Sequence, residues 1–214
     1  MALPHDRSGL LWNDGPTARF TKSMERWINA MYSDDPSDTD VITAGQSVSR
    51  IIAKEDGVLS GRPILDYLIE NHCNGATTEW NFTEGQGFQK GQEIASIVAK
   101  SDEILKIERI CMNLITRLSG IASTTSKWSE QLGGVFLAAT RKTNWGVLDK
   151  WAVHIGGGLT HRLDRSDGLM IKENDFSMSK LTLEEILSTF RTATDFPVIE
   201  VVSSDQALTV ANSW

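Results

Sequence analysis

Apolar positions recur with helical spacing between residues 19 and 33. Phe20, Met24, Trp27, Ile28 and Met31 fall at i, i+4, i+7, i+8 and i+11, which places them on one face. The polar run SDDPSDTD (33–40) ends that helix. Ahead of it, residues 1–18 are rich in Gly, Pro, Asp and Asn and are expected to form a loose lead-in. Strand-like patterning follows. SVSRIIAKE (47–55) is predicted to be a strand, with Asp56-Gly57 as a turn signal. RPILDYLIENHC (62–73) reads as a helix and TTEWNFTEG (77–85) as a half-buried strand. GQGFQKGQEIASIVA (85–99) reads as two β segments around a Lys90-Gly91 turn. Strands flanking one helix make an α+β unit over residues 40–105.

A long helix is predicted over 102–127. Ile104, Leu105, Ile107, Ile110, Cys111, Leu114, Ile115, Leu118 and Ile121 make a broad apolar stripe, and Asp102 and Glu103 suit its positive N-terminal end. Gly120 costs this helix about 1 kcal/mol relative to Ala, which points to a close packing contact there. Beyond residue 133 come four short runs read as strands: GVFLAAT (134–140), WAVHIGGG (151–158), GLMIKEN (168–174) and PVIEVVS (197–203). A helical pattern is clearest between them at 181–191, and DQALTVANSW (205–214) begins another helix. Such βα alternation implies a parallel sheet or barrel, with too few strands to close eight. The last helix stops in mid-pattern, so the chain is expected to be incomplete.

Composition narrows the function classes. The 214 residues are 40% hydrophobic and 23% charged, as in ordinary globular proteins. A net charge of −7 argues against a general nucleic-acid binder. Cys73 and Cys111 form no metal-type pair and are expected to be buried, reduced thiols. The N-terminus lacks the apolar core of a signal peptide, and no apolar run approaches a membrane span. A cytoplasmic protein that does not engage membranes is expected.

Against this acidic background, residues 141–172 hold six Lys/Arg and three Asp. The basic groups follow the apolar runs. Arg141 and Lys142 follow the first; Gly156, Gly157 and Gly158, then His161 and Arg162, follow the second. Lys172 ends the third run and Glu200 lies within the fourth. In parallel α/β folds, ligands bind at this edge. Arginine grips a carboxylate or phosphate through two parallel hydrogen bonds, so two arginines with lysines suit a small ligand carrying more than one anionic group. The glycine run can be an anion-binding nest or only a tight turn. Taken singly, an Arg after a strand is often a solvated charge and a His a satisfied loop residue. Lys172 and Glu200 in apolar runs each need a partner or water.

The segments ERICMNLITRLSGIAS (108–123), TRKT (140–143), KWAVHIGGGLTHR (150–162) and SDGLMIKEN (166–174) resemble those of the quinolinate phosphoribosyltransferase family, the carboxylating nicotinate-nucleotide pyrophosphorylases. IIAKEDGVLSG (51–61) and GFQKGQEIASIVAKSDEIL (87–105) are similar to that family's N-terminal domain. After the lead-in over 1–18, the resemblance implies an α/β fold: an α/β sandwich over 19–127 including the long linking helix, and a partial, incomplete α/β barrel over 128–214. It implies transfer of phosphoribosyl from phosphoribosyl pyrophosphate to quinolinate with Mg²⁺, giving nicotinate mononucleotide, CO₂ and pyrophosphate. It also implies a homodimer or higher homo-oligomer with a shared active site, in which Arg109 reaches a neighbouring subunit's quinolinate. Arg141, His161 and Arg162 would hold the two carboxylates. Lys142 and Lys172 would line the pocket, and Glu200 would face the ribose and metal; these last three would be the catalytic groups.

The chain also departs from the family pattern. Val198 stands where the first acid of the family's EVE strand is expected, Asn144-Trp145 follows TRKT, and Asp175-Phe176 follows IKEN. The family's Leu-Asp-Asn segment and glycine-rich phosphate loops do not follow Trp214, so the 214-residue chain alone is expected to bind phosphoribosyl pyrophosphate poorly and to be nearly inactive. Two other readings remain open at this point. One is a paralogue of the same fold associated with molybdenum transport; the other is a non-catalytic dimerising fragment.

Overall fold

The first helical stripe becomes α1 (Ala18–Asp34), which buries Phe20, Met24 and Ile28. A computed structural model describes residues 6–34, 45–190 and 198–213; the expectations for 1–5, 35–44, 191–197 and Trp214 lie outside the described residues. The chain divides into two compact units, His5–His161 and Arg162–Trp214.

In the first unit β1 (Gln46–Ile52), β3 (Thr77–Trp80) and β5 (Glu93–Lys100) form an antiparallel sheet with β5 in the centre. Val48 pairs with Val98 and Thr78 with Ile97. The central strand buries Ile94, Ala95, Ile97 and Ala99. β2 (Gly57–Val58) pairs with β4 (Gly87–Phe88), and α2 (Arg62–His72) lies between β2 and β3 in sequence. The predicted long helix is α3 (Ser101–Gln131), with Asp102 and Glu103 in its first turn. Its stripe of Ile104, Ile107, Ile110, Cys111, Leu114, Ile115 and Leu118 is buried, and the helix packs against α2 and β2. Leu105 falls outside the stripe and is exposed. Both cysteines are buried free thiols, and burial pushes Cys111 up to about 12.

Several expectations change here. Residues 151–158 are not a strand: 151–155 belong to α4 (Val147–Ile155), which buries Leu148, Trp151 and Ala152 and packs against α3. A short apolar run fits a buried helix face as well as a strand, and packing decides. Within 134–140 the pairing shrinks to one parallel bridge, Ala138 with Leu159. Gly120 makes no close contact, because a Cβ there would meet nothing within 4 Å. The segment 6–17 is not loose: Leu11 is fully buried and Trp12 stacks on Trp151 at 5.5 Å.

The second unit holds β6 (Met170–Ile171), α5 (Glu173–Ser179), α6 (Leu183–Phe190), β7 (Val198–Ile199) and α7 (Ser204–Ser213). β6 and β7 are parallel, as the βα alternation predicts. Its buried apolar side chains among the described residues are Leu163, Ile171, Ile186 and Leu187. Among the described residues no helix is long and apolar enough to cross a membrane.

Candidate functional site

In the first unit the candidate residues follow the Ala138–Leu159 bridge. The Ala139 N–H donates to the Leu159 carbonyl at 2.8 Å, and the Leu159 N–H donates to the Leu137 carbonyl at 2.7 Å. Arg141 and Lys142 come just beyond one side of this bridge and are exposed. Thr160 and His161 come just beyond the other. The Lys142 N–H donates to Thr140 Oγ1 at 3.1 Å. The loop that follows is organised by Asp149, which is 4% exposed. Its Oδ2 accepts from the N–H groups of Asn144 and Trp145 at 2.9 and 3.0 Å. Arg117 of α3 donates to both carboxylate oxygens of Asp149, at 2.9 and 2.8 Å, and its guanidinium lies over the Trp145 ring at 4.8 Å. The hydrogen bonds to Asp149 raise the Arg117 pKa above its ordinary value.

The glycine run is a packing device. The N–H groups of Gly156, Gly157 and Gly158 donate to the carbonyls of Ala152, His154 and Val153 in α4 at 2.9–3.0 Å. They therefore face α4 and form no anion nest. Crowding explains why Gly stands at two of these positions: a Cβ on Gly156 would lie 2.3 Å from the Ala122 carbonyl oxygen, and one on Gly158 would lie 2.7 Å from Val153 Cγ1. Gly157 has φ +89° and makes the turn.

In the second unit Arg162 donates through Nη1 to the Gly168 carbonyl at 2.9 Å. Asp167 accepts from the Leu163 N–H at 2.8 Å, and Asp164 accepts from the N–H groups of Ser166 and Asp167. Lys172 and Glu200 directly follow the paired residues Ile171 and Ile199. Parallel register therefore sets them side by side, and the Lys172 ammonium is hydrogen-bonded to the Glu200 carboxylate. Each apolar run thus supplies the partner the other needs. Both side chains remain substantially exposed.

Arg109 lies on the exposed face of α3. One turn further along that helix, Asn113, Thr116, Arg117 and Gly120 line an open groove of about 660 Å³ with Trp145. Four groups that order the first unit have no role assigned from the sequence: Asp6, Glu84, Arg117 and Lys150, the last counted only among the basic residues of 141–172. Burial pushes the Glu84 carboxyl above its ordinary pKa, although it accepts from the N–H groups of Gly61 and Arg62 and from Trp151 Nε1. The signal for Lys150 was a cation inside the apolar stretch VLDKWAV. Among the described residues no group of three or more His, Cys, Asp or Glu could hold a metal ion.

Comparison with known proteins gives this arrangement a family. Residues 38–119 match the model for the N-terminal domain of quinolinate phosphoribosyl transferase, and residues 121–213 match its C-terminal domain. A quinolinate phosphoribosyltransferase [decarboxylating] of Nicotiana glauca is 31% identical over 171 residues, covering 76% of this chain and 49% of that protein. A probable nicotinate-nucleotide pyrophosphorylase [carboxylating] of Archaeoglobus fulgidus is 34% identical over 167 residues, covering 75% and 64%. The crystal structure of nicotinate-nucleotide pyrophosphorylase from Ehrlichia chaffeensis superposes with a TM-score of 0.79 at 26% identity, covering 90% of this chain and 73% of that one. The chain therefore spans about half the length of plant relatives such as the Nicotiana glauca protein, which it matches at 49% of their length. With both domain models matched in order along the chain, and with its mixed α/β fold shared, the protein belongs to the quinolinate phosphoribosyltransferase family.

Proposed function

We propose that the protein joins quinolinate to the ribose of phosphoribosyl pyrophosphate, releasing pyrophosphate and CO₂ and leaving nicotinate mononucleotide. The observation that carries this reading is the placement of the basic residues. Arg141, Lys142 and His161 follow a parallel bridge in one unit, and Lys172 and Glu200 follow a parallel strand pair in the other. Quinolinate is a compact dianion and its co-substrate a polyphosphate, so both call for cations.

In this reading Arg141, His161 and Arg162 bind the two carboxylates, with Arg109 offered to a second copy of the chain in a homodimer or higher homo-oligomer. Lys142 and Lys172 neutralise anionic substrate groups. Ribose C1 becomes cation-like as its bond to pyrophosphate breaks, and the Glu200 carboxylate stabilises that charge or orients the ribose. The quinolinate nitrogen forms the new bond to C1. The resulting pyridinium accepts the electron pair released when the adjacent carboxylate leaves as CO₂, and a proton takes its place on the ring. No covalent enzyme intermediate is needed, so positioning and electrostatics supply the acceleration. Glu200, exposed and paired with Lys172, is the carboxylate that would face Mg²⁺ arriving with the diphosphate; when bound, Mg²⁺ would supply positive charge to the leaving group. We place this activity in the cytoplasm.

Calorimetric titration of the chain with quinolinate tests the reading. Saturable one-site binding is expected, lost in Arg162→Ala. Dimerisation without any quinolinate binding would instead favour a non-catalytic module.

A further inference from the structure

His161 has φ +51°, in the left-handed region that a residue with a Cβ occupies only at a steric cost. Such a conformation persists where its surroundings over-determine it, and here they do. The preceding residue, Thr160, is fully buried and held from three directions. The Lys150 ammonium donates to the Thr160 carbonyl at 2.8 Å. The Arg7 N–H donates to Thr160 Oγ1 at 2.6 Å, and Thr160 Oγ1 donates to Asp6 Oδ1 at 3.3 Å. Asp6 is itself fixed by Ser8, whose hydroxyl donates to Oδ2 at 2.6 Å.

Lys150 is 1% exposed, on a helix whose other inward residues include Leu148, Trp151 and Ala152. Burying an ammonium is costly unless it is well bonded. The acceptor it reaches is informative. A peptide unit is planar, so fixing the Thr160 carbonyl also fixes the plane containing the His161 N–H. The φ torsion of His161 turns about the very next bond.

We propose that Lys150 is a positioning residue for anion binding: by holding the Thr160 carbonyl, with Asp6 and Arg7 holding the Thr160 side chain, it keeps His161 in the left-handed conformation that presents its imidazole to a substrate carboxylate. The carboxylate part rests on the function proposed above; the conformational part does not. Asp6 and Arg7 thereby become part of the binding apparatus at second hand.

Two readouts separate these parts. The first is the backbone carbon chemical shifts of His161 in the unliganded protein, wild type against Lys150→Met. Left-handed values in the wild type that revert to ordinary ones in the variant support the proposal; unchanged values overturn it, whatever the ligand proves to be. The second is a double-mutant cycle on the quinolinate Kd. Lys150→Met is expected to weaken binding about tenfold alone and to add nothing once His161→Ala is present. An equal loss in both backgrounds means Lys150 acts otherwise and overturns the proposal. If the wild type does not bind quinolinate, the functional reading fails and the shift measurement still decides the conformational claim. Should Lys150→Met not fold, Thr160→Val and Asp6→Ala loosen the same peptide from its other side and replace it in both readouts.

Discussion

His161 in the first unit and Lys172 in the second are held in opposite ways. In the first, the turn before His161 is fixed by a buried lysine, a buried threonine, and Asp6 and Arg7. In the second, Lys172 and Glu200 meet at the ends of two-residue strands, both substantially exposed, and lean chiefly on each other. A side chain bonded on several sides cannot rearrange without breaking those bonds. An exposed ion pair opens at little cost and exchanges its partner for a substrate group. The turn at His161 therefore stores geometry, and the Lys172–Glu200 pair offers charge.

Substitutions in the packed unit should give the largest effects. Gly156→Ala forces a methyl against the Ala122 carbonyl oxygen, backbone against backbone. It should cost about 3 kcal/mol in urea unfolding, whereas Gly120→Ala, which faces open space, should stabilise by about 1 kcal/mol. Equal effects at the two glycines would dissolve the distinction. Arg117→Ala comes next. It strips the buried Asp149 of its bidentate partner and should cost about 3 kcal/mol in the same measurement.

A smaller effect is expected from pH. The Glu84 pKa is raised in the folded chain, chiefly by burial. Its contribution is therefore fully present below the ordinary value near 4.5 and is lost as pH rises through the folded value. Thermal unfolding should show the wild type gaining stability relative to Glu84→Gln between pH 7 and pH 4; a relative loss on acidification contradicts the assignment. Smallest of all, Lys172→Gln should change stability by about 0.5 kcal/mol while weakening ligand binding far more. A large loss of stability would make the pair structural and erase the contrast between units.

How much of this the sequence could disclose depended on the range of the forces involved. Periodicity was enough for α1, α2, α3 and the β1–β5 sheet, because each rests on a local pattern. It misled at 151–158, where a helix facing α3 and a buried strand present the same run of apolar letters. The glycines at 156–158 were visible, but their reason, the Ala122 carbonyl lying against them, belongs to another helix distant in sequence. Lys172 and Glu200 each announced the need for a partner, and only parallel register shows that they are partners of one another. Lys150 stands in the segment 150–162 and Glu84 in 77–85, but neither pattern shows which group the side chain reaches, and Asp6 meets Thr160 across 154 positions of sequence.

The account turns on whether the scattered cations answer to one compact diacid. Backbone amide chemical shifts recorded during a quinolinate titration test this most directly. The account predicts that residues 141–142, 160–162 and 172 shift together and fit a single Kd, with nicotinate, which lacks the second carboxylate, binding far more weakly. Shifts confined to other residues, or separate dissociation constants at the basic positions, would contradict it.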